Sequence, residues 1–199
     1  MALLFVERRW DEFHALADQR LAAHPDDLFA LRKLEDAALQ KGDFDEIRKL
    51  RERMTRAGIA EGGDLNNFAW AALASGRIED ADLEAARRGA TLADYKSYAS
   101  LHTLAALYAE TGKTSEAYRV ILQAIGLHGD QAMGSDWFIF GQLAEQYGLP
   151  EEARSYYERV PKDPNTDRAT STYRLAQNRL VALGKGHGKG DRQAVAVRP

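Results

Sequence analysis

Five glycines recur at a nearly constant spacing, and this feature constrains the fold more than any other in the sequence. They are Gly42, Gly76, Gly112, Gly148 and Gly184, separated by 34, 36, 36 and 36 residues. Self-similarity at such a period is typical of proteins built from one repeated supersecondary unit. The chain should therefore be divided at these glycines before individual helices are assigned.

Apolar side chains stand at fixed distances before each glycine. Eleven residues before the glycines are Leu31, Leu65, Leu101, Trp137 and Tyr173. Eight residues before them are Leu34, Phe68, Leu104, Phe140 and Ala176. Each position except the last holds a large apolar group, and apolar residues three apart lie on one face of a helix. We therefore expect a helix with a buried face to end just before each glycine.

Small residues occupy two further repeated positions, one on each side of the turn. Seven residues before the first four glycines are Glu35, Ala69, Ala105 and Gly141. Five residues after them are Ile47, Ala81, Ala117 and Ala153. Small side chains thus meet in three of the four units, which predicts antiparallel helix pairs whose backbones approach closely there. The glycine would form the tight turn between the two helices.

The repeat predicts an all-α chain with one domain over residues 1–184. A lone helix of the second type should cover residues 10–23, four helix pairs about 26–160, and a helix of the first type 169–183. The glycine-rich, basic residues 185–199 should form a flexible tail. The apolar run at residues 2–6 is too short for a membrane span or a signal-peptide core, so we expect a cytoplasmic protein with no membrane partner.

Taken together, these positions resemble tetratricopeptide repeats. The best match is residues 101–129, where apolar, small and aromatic positions surround Gly112 in the family's order, and residues 137–160 match nearly as well. The resemblance implies a right-handed α-α superhelix of about four helix pairs with a helix at each end. Glu35, Ile47 and Arg88 depart from the small residues of the family. Packing near them should therefore be looser or shifted.

The resemblance also implies where a partner would bind. In such repeats the first helices of successive units line the concave surface, on which family members bind peptides or proteins. Residues ten and six positions before the glycines form two rows on this face, and Asn67 adjoins them. The candidate partner-binding residues are Arg32, Asp36, Asn66, Asn67, Trp70, His102, Phe138, Gln142, Arg174 and Asn178.

Other interpretations of these residues are open. Trp70 and Phe138 could fill gaps between helices, as large aromatic side chains in helical repeats often do. Some tetratricopeptide domains clamp the terminal carboxylate of a chaperone with lysine, asparagine and arginine side chains. The matching positions here hold Arg32, Asp36, Asn67, Ala99 and Thr103. Only Asn67 fits, and Asp36 would repel a carboxylate, so the sequence argues against that clamp.

Composition argues against other classes of function. The 27 basic and 30 acidic residues give a net charge of −3 without a large positive field, so we expect no nucleic-acid partner. The chain has no cysteine, which excludes disulfides, thiolate zinc sites and thiol nucleophiles. The five histidines do not form a helical metal pair, and the glycines from Gly184 onward are not preceded by a strand, as a phosphate loop would be. We expect neither a cofactor nor catalysis.

Two functions remain open at this point. The first is a non-catalytic scaffold that binds a peptide or protein on its concave face. The second is a structural or oligomerisation region at the C-terminus of a larger bacterial protein, with an upstream domain of the same polypeptide as its partner. The second interpretation depends on the predicted absence of a first helix before Trp10, which would leave an apolar edge at Trp10 and Phe13.

Overall fold

The computed structural model describes residues 1–162, 164, 166 and 168–187. Within these residues the chain forms helices and connecting turns and no β-strand, which confirms the predicted all-α fold. The helices are α1 (Ala2–Val6), α2 (Trp10–Ala23), α3 (Leu28–Lys41), α4 (Phe44–Arg56), α5 (Gly62–Ser75), α6 (Asp80–Leu92), α7 (Tyr98–Glu110), α8 (Thr114–Gly126), α9 (Asp136–Gln146), α10 (Pro150–Glu158) and α11 (Thr172–His187). None of these described helices combines the length and apolar character needed to cross a membrane.

The helices pack in adjacent pairs that follow chain order. α3 packs on α4, α5 on α6, α7 on α8 and α9 on α10, which are the predicted pairs. Between pairs, α4 contacts α5, α6 contacts α7 and α8 contacts α9. In addition, α5 contacts α7 directly and α7 contacts α9. These three first helices therefore lie side by side, and the surface that they form is called the first-helix face below.

The first four repeated glycines form the turns, as predicted. Gly42, Gly76, Gly112 and Gly148 have φ between 70° and 74°, the left-handed region that residues with a Cβ rarely adopt. Gly184, in contrast, lies inside α11, which continues to His187. Residues 185–187 of the predicted tail are therefore helical, and its residues 188–199 lie outside the described part of the chain.

The second pair departs from the predicted register. α6 begins four residues after its turn glycine, whereas α4, α8 and α10 begin two residues after theirs. The prediction that Ala81 meets Ala69 is therefore wrong, because Ala81 is exposed. Leu83 and Ala90 take the buried positions two residues later, and Arg88 is exposed. The departure from the family pattern at Arg88 is thus a shift of register.

Two glycines allow close packing between paired helices. A Cβ at Gly141 would lie 2.3 Å from the ring of Tyr157, so this fully buried tyrosine occupies the space that a side chain would need. A Cβ at Gly89 would lie 3.2 Å from the carbonyl oxygen of Gly62. The close approach predicted for the fourth pair is present, and its nearest contact to Gly141 is an aromatic ring of α10.

Two groups of buried apolar residues form the interior. The N-terminal core consists of residues from α2, α3 and α4 together with Phe68 and Ala71 of α5. The C-terminal core consists of residues from α5 to α10, the connections between them and Ala176 of α11. α5 contributes to both cores, which explains how the first pair is joined to the rest of the chain.

α1 covers the edge that the sequence predicted to be open. The ring of Phe5 lies 5.6 Å from that of Trp10 and 5.8 Å from that of Phe13, measured between centroids. Phe13 has no exposed surface. The short apolar run at the start of the chain therefore takes part of the place of the first helix that the repeat pattern lacks there.

Candidate functional site on the first-helix face

Three of the predicted partner-binding residues meet on the first-helix face, one from each of its helices. Trp70 of α5 lies 5.5 Å from His102 of α7 and 6.4 Å from Phe138 of α9, measured between ring centroids. His102 and Phe138 are 6% and 2% exposed, whereas Trp70 is half-buried. These three residues, called the Trp70 cluster below, therefore combine one accessible tryptophan with two buried rings.

Polar contacts fix the buried side of the Trp70 cluster. Tyr98 lies 5.5 Å from His102 between centroids, and its hydroxyl donates to Asp136 Oδ1 at 2.6 Å. Burial, aided by Asp136, raises the pKa of Tyr98, so this hydroxyl keeps its proton. Burial lowers the pKa of His102, so the imidazole is neutral at neutral pH. The rings beneath Trp70 are therefore uncharged and held in position.

The indole N–H of Trp70 is hydrogen-bonded to the backbone of a distant segment. Its indole N–H donates to the carbonyl oxygen of Thr170 at 2.8 Å, a contact between residues 100 positions apart. Thr170 belongs to the connection between α10 and α11. A main-chain carbonyl of an irregular segment is the group that a peptide ligand would offer to this tryptophan.

The segment that contacts Trp70 forms a turn. The N–H of Ser171 donates to the carbonyl oxygen of Arg168 at 3.0 Å, which places Ala169 and Thr170 at the corner of a β-turn. Ala169 also lies next to the turn between α3 and α4, because a Cβ at Gly42 would be 3.5 Å from the Ala169 Cβ. Residues 168–171 are called the docked turn below. They lie between the first helix pair and the Trp70 cluster.

The predicted residues of α3 are engaged within the protein. Arg32 donates to Asp64 twice, from Nε at 2.8 Å and from Nη2 at 3.0 Å, and it also pairs with Glu61. Asp36 pairs with Lys33 at 2.6 Å. Arg32 thereby joins α3 to the first turn of α5, where Glu61 and Asp64 form a capping box. Its contacts support the packing of the first pair against the second.

Gln142 is part of a polar network that the sequence did not reveal. It is 1% exposed, and its Nε2 donates to Glu110 Oε2 at 2.8 Å. Glu110 also pairs with Arg179 of α11, which lies 3.1 Å from Glu145. The network joins α7, α9 and α11 across 32 and 69 residues of sequence, so no local spacing could have predicted it.

The remaining predicted residues are divided between the interior and the surface. Asn66 is half-buried, and its Oδ1 is a buried acceptor with no hydrogen-bond partner in the described structure. Asn67, Arg174 and Asn178 are exposed. Of the two predicted rows, the structure therefore brings Trp70, His102 and Phe138 into contact. Arg32, Asp36 and Gln142 instead make polar contacts within the protein.

A second cleft, of about 670 Å³, lies between α6 and α8, which are the second helices of their pairs, and is also lined by Leu104 and Tyr108 of α7. Arg87, Arg88, Arg119 and Tyr108 are among the residues that line it. Arg87 is held there by the Tyr108 hydroxyl at 3.1 Å and by Glu84 at 3.6 Å. On the first-helix face, in contrast, the Trp70 indole holds a main-chain carbonyl at 2.8 Å, which makes this face the better candidate of the two for a peptide.

The first-helix face offers hydrogen bonding and apolar contact. Among the described residues, no group of histidine, aspartate and glutamate side chains is arranged to hold a metal ion. Comparisons of the chain with family models, with curated proteins and with solved structures gave no match. The contacts of the first-helix face are therefore the observations from which a function is inferred.

Proposed function

We propose that this chain is a non-catalytic scaffold of the tetratricopeptide type that binds a peptide or protein partner. In this proposal the helix pairs stack as a right-handed superhelix, and the first-helix face is its concave surface. Three features support it: the left-handed glycine turns at a period of 34 to 36 residues, the packing of helices in adjacent pairs, and the direct contacts among α5, α7 and α9.

The hydrogen bond from Trp70 to Thr170 is the observation that carries the proposal. A half-buried indole over two buried rings gives a ligand apolar contact area, and its N–H selects a backbone carbonyl. Tryptophan is among the residues that most often dominate binding energy at protein interfaces. Because the donor recognises main chain, the site suits a polypeptide and needs no reacting group.

The alternative function, a structural region that supports another domain, loses its original motivation. It depended on an open apolar edge at Trp10 and Phe13, whereas Phe13 is fully buried and Phe5 of α1 packs against both rings. Leu3 and Val6 of α1 are themselves 66% and 77% exposed, but nothing in the described part of the chain indicates what would cover them. We therefore favour the peptide-binding scaffold over the structural region.

A displayed library of random peptides tests the proposal. The library is selected on the wild-type protein, and the affinity of enriched peptides is measured by fluorescence anisotropy. Affinities are compared in proteins with glycine at residues 168–170, because the Thr170 carbonyl competes for the same N–H. In this background Trp70→Phe keeps a ring in place and removes the N–H, so binding should weaken by about tenfold, the equivalent of about 1.4 kcal/mol for a hydrogen bond in a desolvated site.

Tyr118→Ala provides the matched control. Tyr118 is a half-exposed aromatic residue of α8, outside the first-helix face, so its removal should leave peptide affinity unchanged. Both variants should keep the wild-type circular dichroism spectrum. The free energy of unfolding should stay within about 0.5 kcal/mol of the wild type for Tyr118→Ala, and within about 1.5 kcal/mol for Trp70→Phe, which loses the hydrogen bond to Thr170. If the enriched peptides bind the Trp70 variant as tightly as the wild type, the first-helix face is not the binding site.

A further inference from the structure

We infer that the docked turn, residues 168–171, is a built-in ligand of the first-helix face and must leave Trp70 before a partner can bind. This inference rests on the proposed function and adds to it the regulation of the site and the shape of what the site accepts. Its basis is that the same donor proposed to recognise a partner is already satisfied by Thr170.

The docked turn is held both at its corner and at its end. At the corner, the Thr170 carbonyl accepts from the Trp70 indole at 2.8 Å, and Ala169 lies against Gly42. At the end, Ser171 is 6% exposed, and its carbonyl oxygen accepts from the N–H of Leu175 at 3.0 Å in the first turn of α11. The position of the turn is therefore coupled to the start of α11.

The contacts of the docked turn specify the ligand chemistry. Ala169 at the corner adjoins a glycine of the α3–α4 turn, and a much larger side chain there would meet this turn. The following residue presents its backbone carbonyl to Trp70 and so contributes no side-chain specificity through that bond. The site therefore accepts a β-turn with a small residue at the first corner position, as a loop of a partner protein or a turn-forming peptide would supply.

The tether makes the docked turn an effective competitor. A segment joined to the same chain by a short connection acts at an effective concentration in the millimolar range. A partner that binds the same surface sees only the fraction of molecules in which the turn has left, so its apparent dissociation constant increases by the inverse of that fraction. Weakening the docked turn should therefore strengthen the binding of a partner.

The experiment uses the Trp70 indole as the reporter. The chain has three tryptophans, so protein labelled with ¹⁵N-tryptophan gives three indole N–H signals, of which the Trp70 signal is identified by its loss in Trp70→Phe. In the wild type this signal should be protected from exchange with water. Replacing Arg168, Ala169 and Thr170 each with glycine increases the freedom of the undocked segment, and the protection should fall by about tenfold.

The pentapeptide of residues 168–172, with blocked ends, is then added to both proteins at millimolar concentration. It should shift the Trp70 signal saturably in the triple-glycine variant and leave the Trp10 and Trp137 signals in place. The wild type should show little change, because its own turn occupies the site. An unprotected Trp70 indole in the wild type, or no response of Trp70 to the peptide in the variant, would overturn the inference.

Peptides selected from the library separate this inference from the proposed function. They should bind the triple-glycine variant about tenfold more tightly than the wild type. Equal affinity for both proteins, with binding still dependent on Trp70, would overturn the inhibitory role and leave the scaffold function intact. A Trp70 indole that responds to the chain's own turn, without any Trp70-dependent library peptide, would support the docked turn and count against the scaffold function.

Discussion

The two cores of this molecule are stabilised by different kinds of contact. In the N-terminal part, two buried charged groups lie at positions where the repeat pattern calls for small or apolar residues: Glu35 is 3% exposed, and Arg51 of α4 is also buried. Arg51 pairs with the fully buried Asp82 of α6, where the two cores meet. In the C-terminal part, the corresponding positions hold Ala105 and Gly141, and the ring of Tyr157 packs directly on Gly141. At these repeat positions, the buried charges of Glu35 and Arg51 in the first unit are thus replaced in the fourth unit by the close contact between Gly141 and the ring of Tyr157.

The difference shows that the repeat fixes helix positions more strongly than it fixes the contacts between them. A buried carboxylate is unfavourable unless it is paired or neutral, so the N-terminal part depends on the correct partners being present. A close contact between a glycine and an aromatic ring depends on volume alone. The two parts should therefore respond differently to substitutions that remove a charge and to substitutions that add a methyl group.

The largest effect is expected from Arg51→Met. This change removes the Arg51 guanidinium beside Asp82, a carboxylate with no exposed surface, and leaves it only partly compensated by Arg48 at 3.6 Å and by the backbone N–H of Glu79 at 2.9 Å. Loss of one member of a buried ion pair commonly destabilises a protein by about 3 to 5 kcal/mol, and we expect about 3 kcal/mol here. Urea denaturation followed by circular dichroism measures the difference in the free energy of unfolding.

Lys49→Met in the same helix is the control for this change. Lys49 is exposed and its contact with Glu46 is 3.5 Å long, so the free energy of unfolding should change by less than about 0.5 kcal/mol. Equal effects of the two substitutions would show that the buried pair does not distinguish the N-terminal part of the molecule.

The next effect is expected from Gly141→Ala in the C-terminal core. The new methyl group would lie 2.3 Å from the Tyr157 ring, so the ring or the helices must move, and we expect a loss of about 2 kcal/mol in the free energy of unfolding. Gly63→Ala in the first turn of α5 adds the same group where nothing lies within 4 Å, and it should be neutral or slightly stabilising.

A double substitution tests the origin of the Gly141 effect. In a Tyr157→Ala background, the added methyl at Gly141 should be tolerated, so the two losses should not add. Additive losses would mean that the ring is not the obstacle, and the contrast between a core limited by shape and a core limited by charge would fail.

Much of this fold could be predicted from the sequence, because glycine turns and apolar spacing are local features. α2, the four helix pairs and α11 lie where the repeat predicts them. The errors occur where the local signal was ambiguous. Ala81 was assigned from its distance to Gly76, yet Glu79 and Asp82 form a capping box that starts α6 two residues later than the pattern predicts. Capping competed with the repeat register and determined the start of the helix.

The site was less predictable than the fold. The spacing placed Trp70, His102 and Phe138 on one face, and the structure shows them in contact. The docked turn could not be predicted, since the bond between Trp70 and Thr170 spans 100 residues and involves a backbone atom. Contacts of this kind depend on the tertiary path of an irregular connection, for which the sequence offers no periodic signal.

The last effect, expected from Glu35→Gln, should depend on pH. Burial, reinforced by Asp64 and Asp36, raises the pKa of Glu35 from 4.5 to about 8. The folded state therefore holds this proton at pH values where the unfolded state has lost it, and stability attributable to the group falls as the pH rises from about 4.5 to about 8. At pH 4 the acid is mostly protonated in both states and glutamine resembles it, so the two proteins should be about equally stable. At pH 8 the glutamine variant should be more stable by about 1 kcal/mol or more.

Urea denaturation at the two pH values measures this difference in the free energy of unfolding. A difference independent of pH would mean that Glu35 is not a buried ionisable group of the N-terminal core.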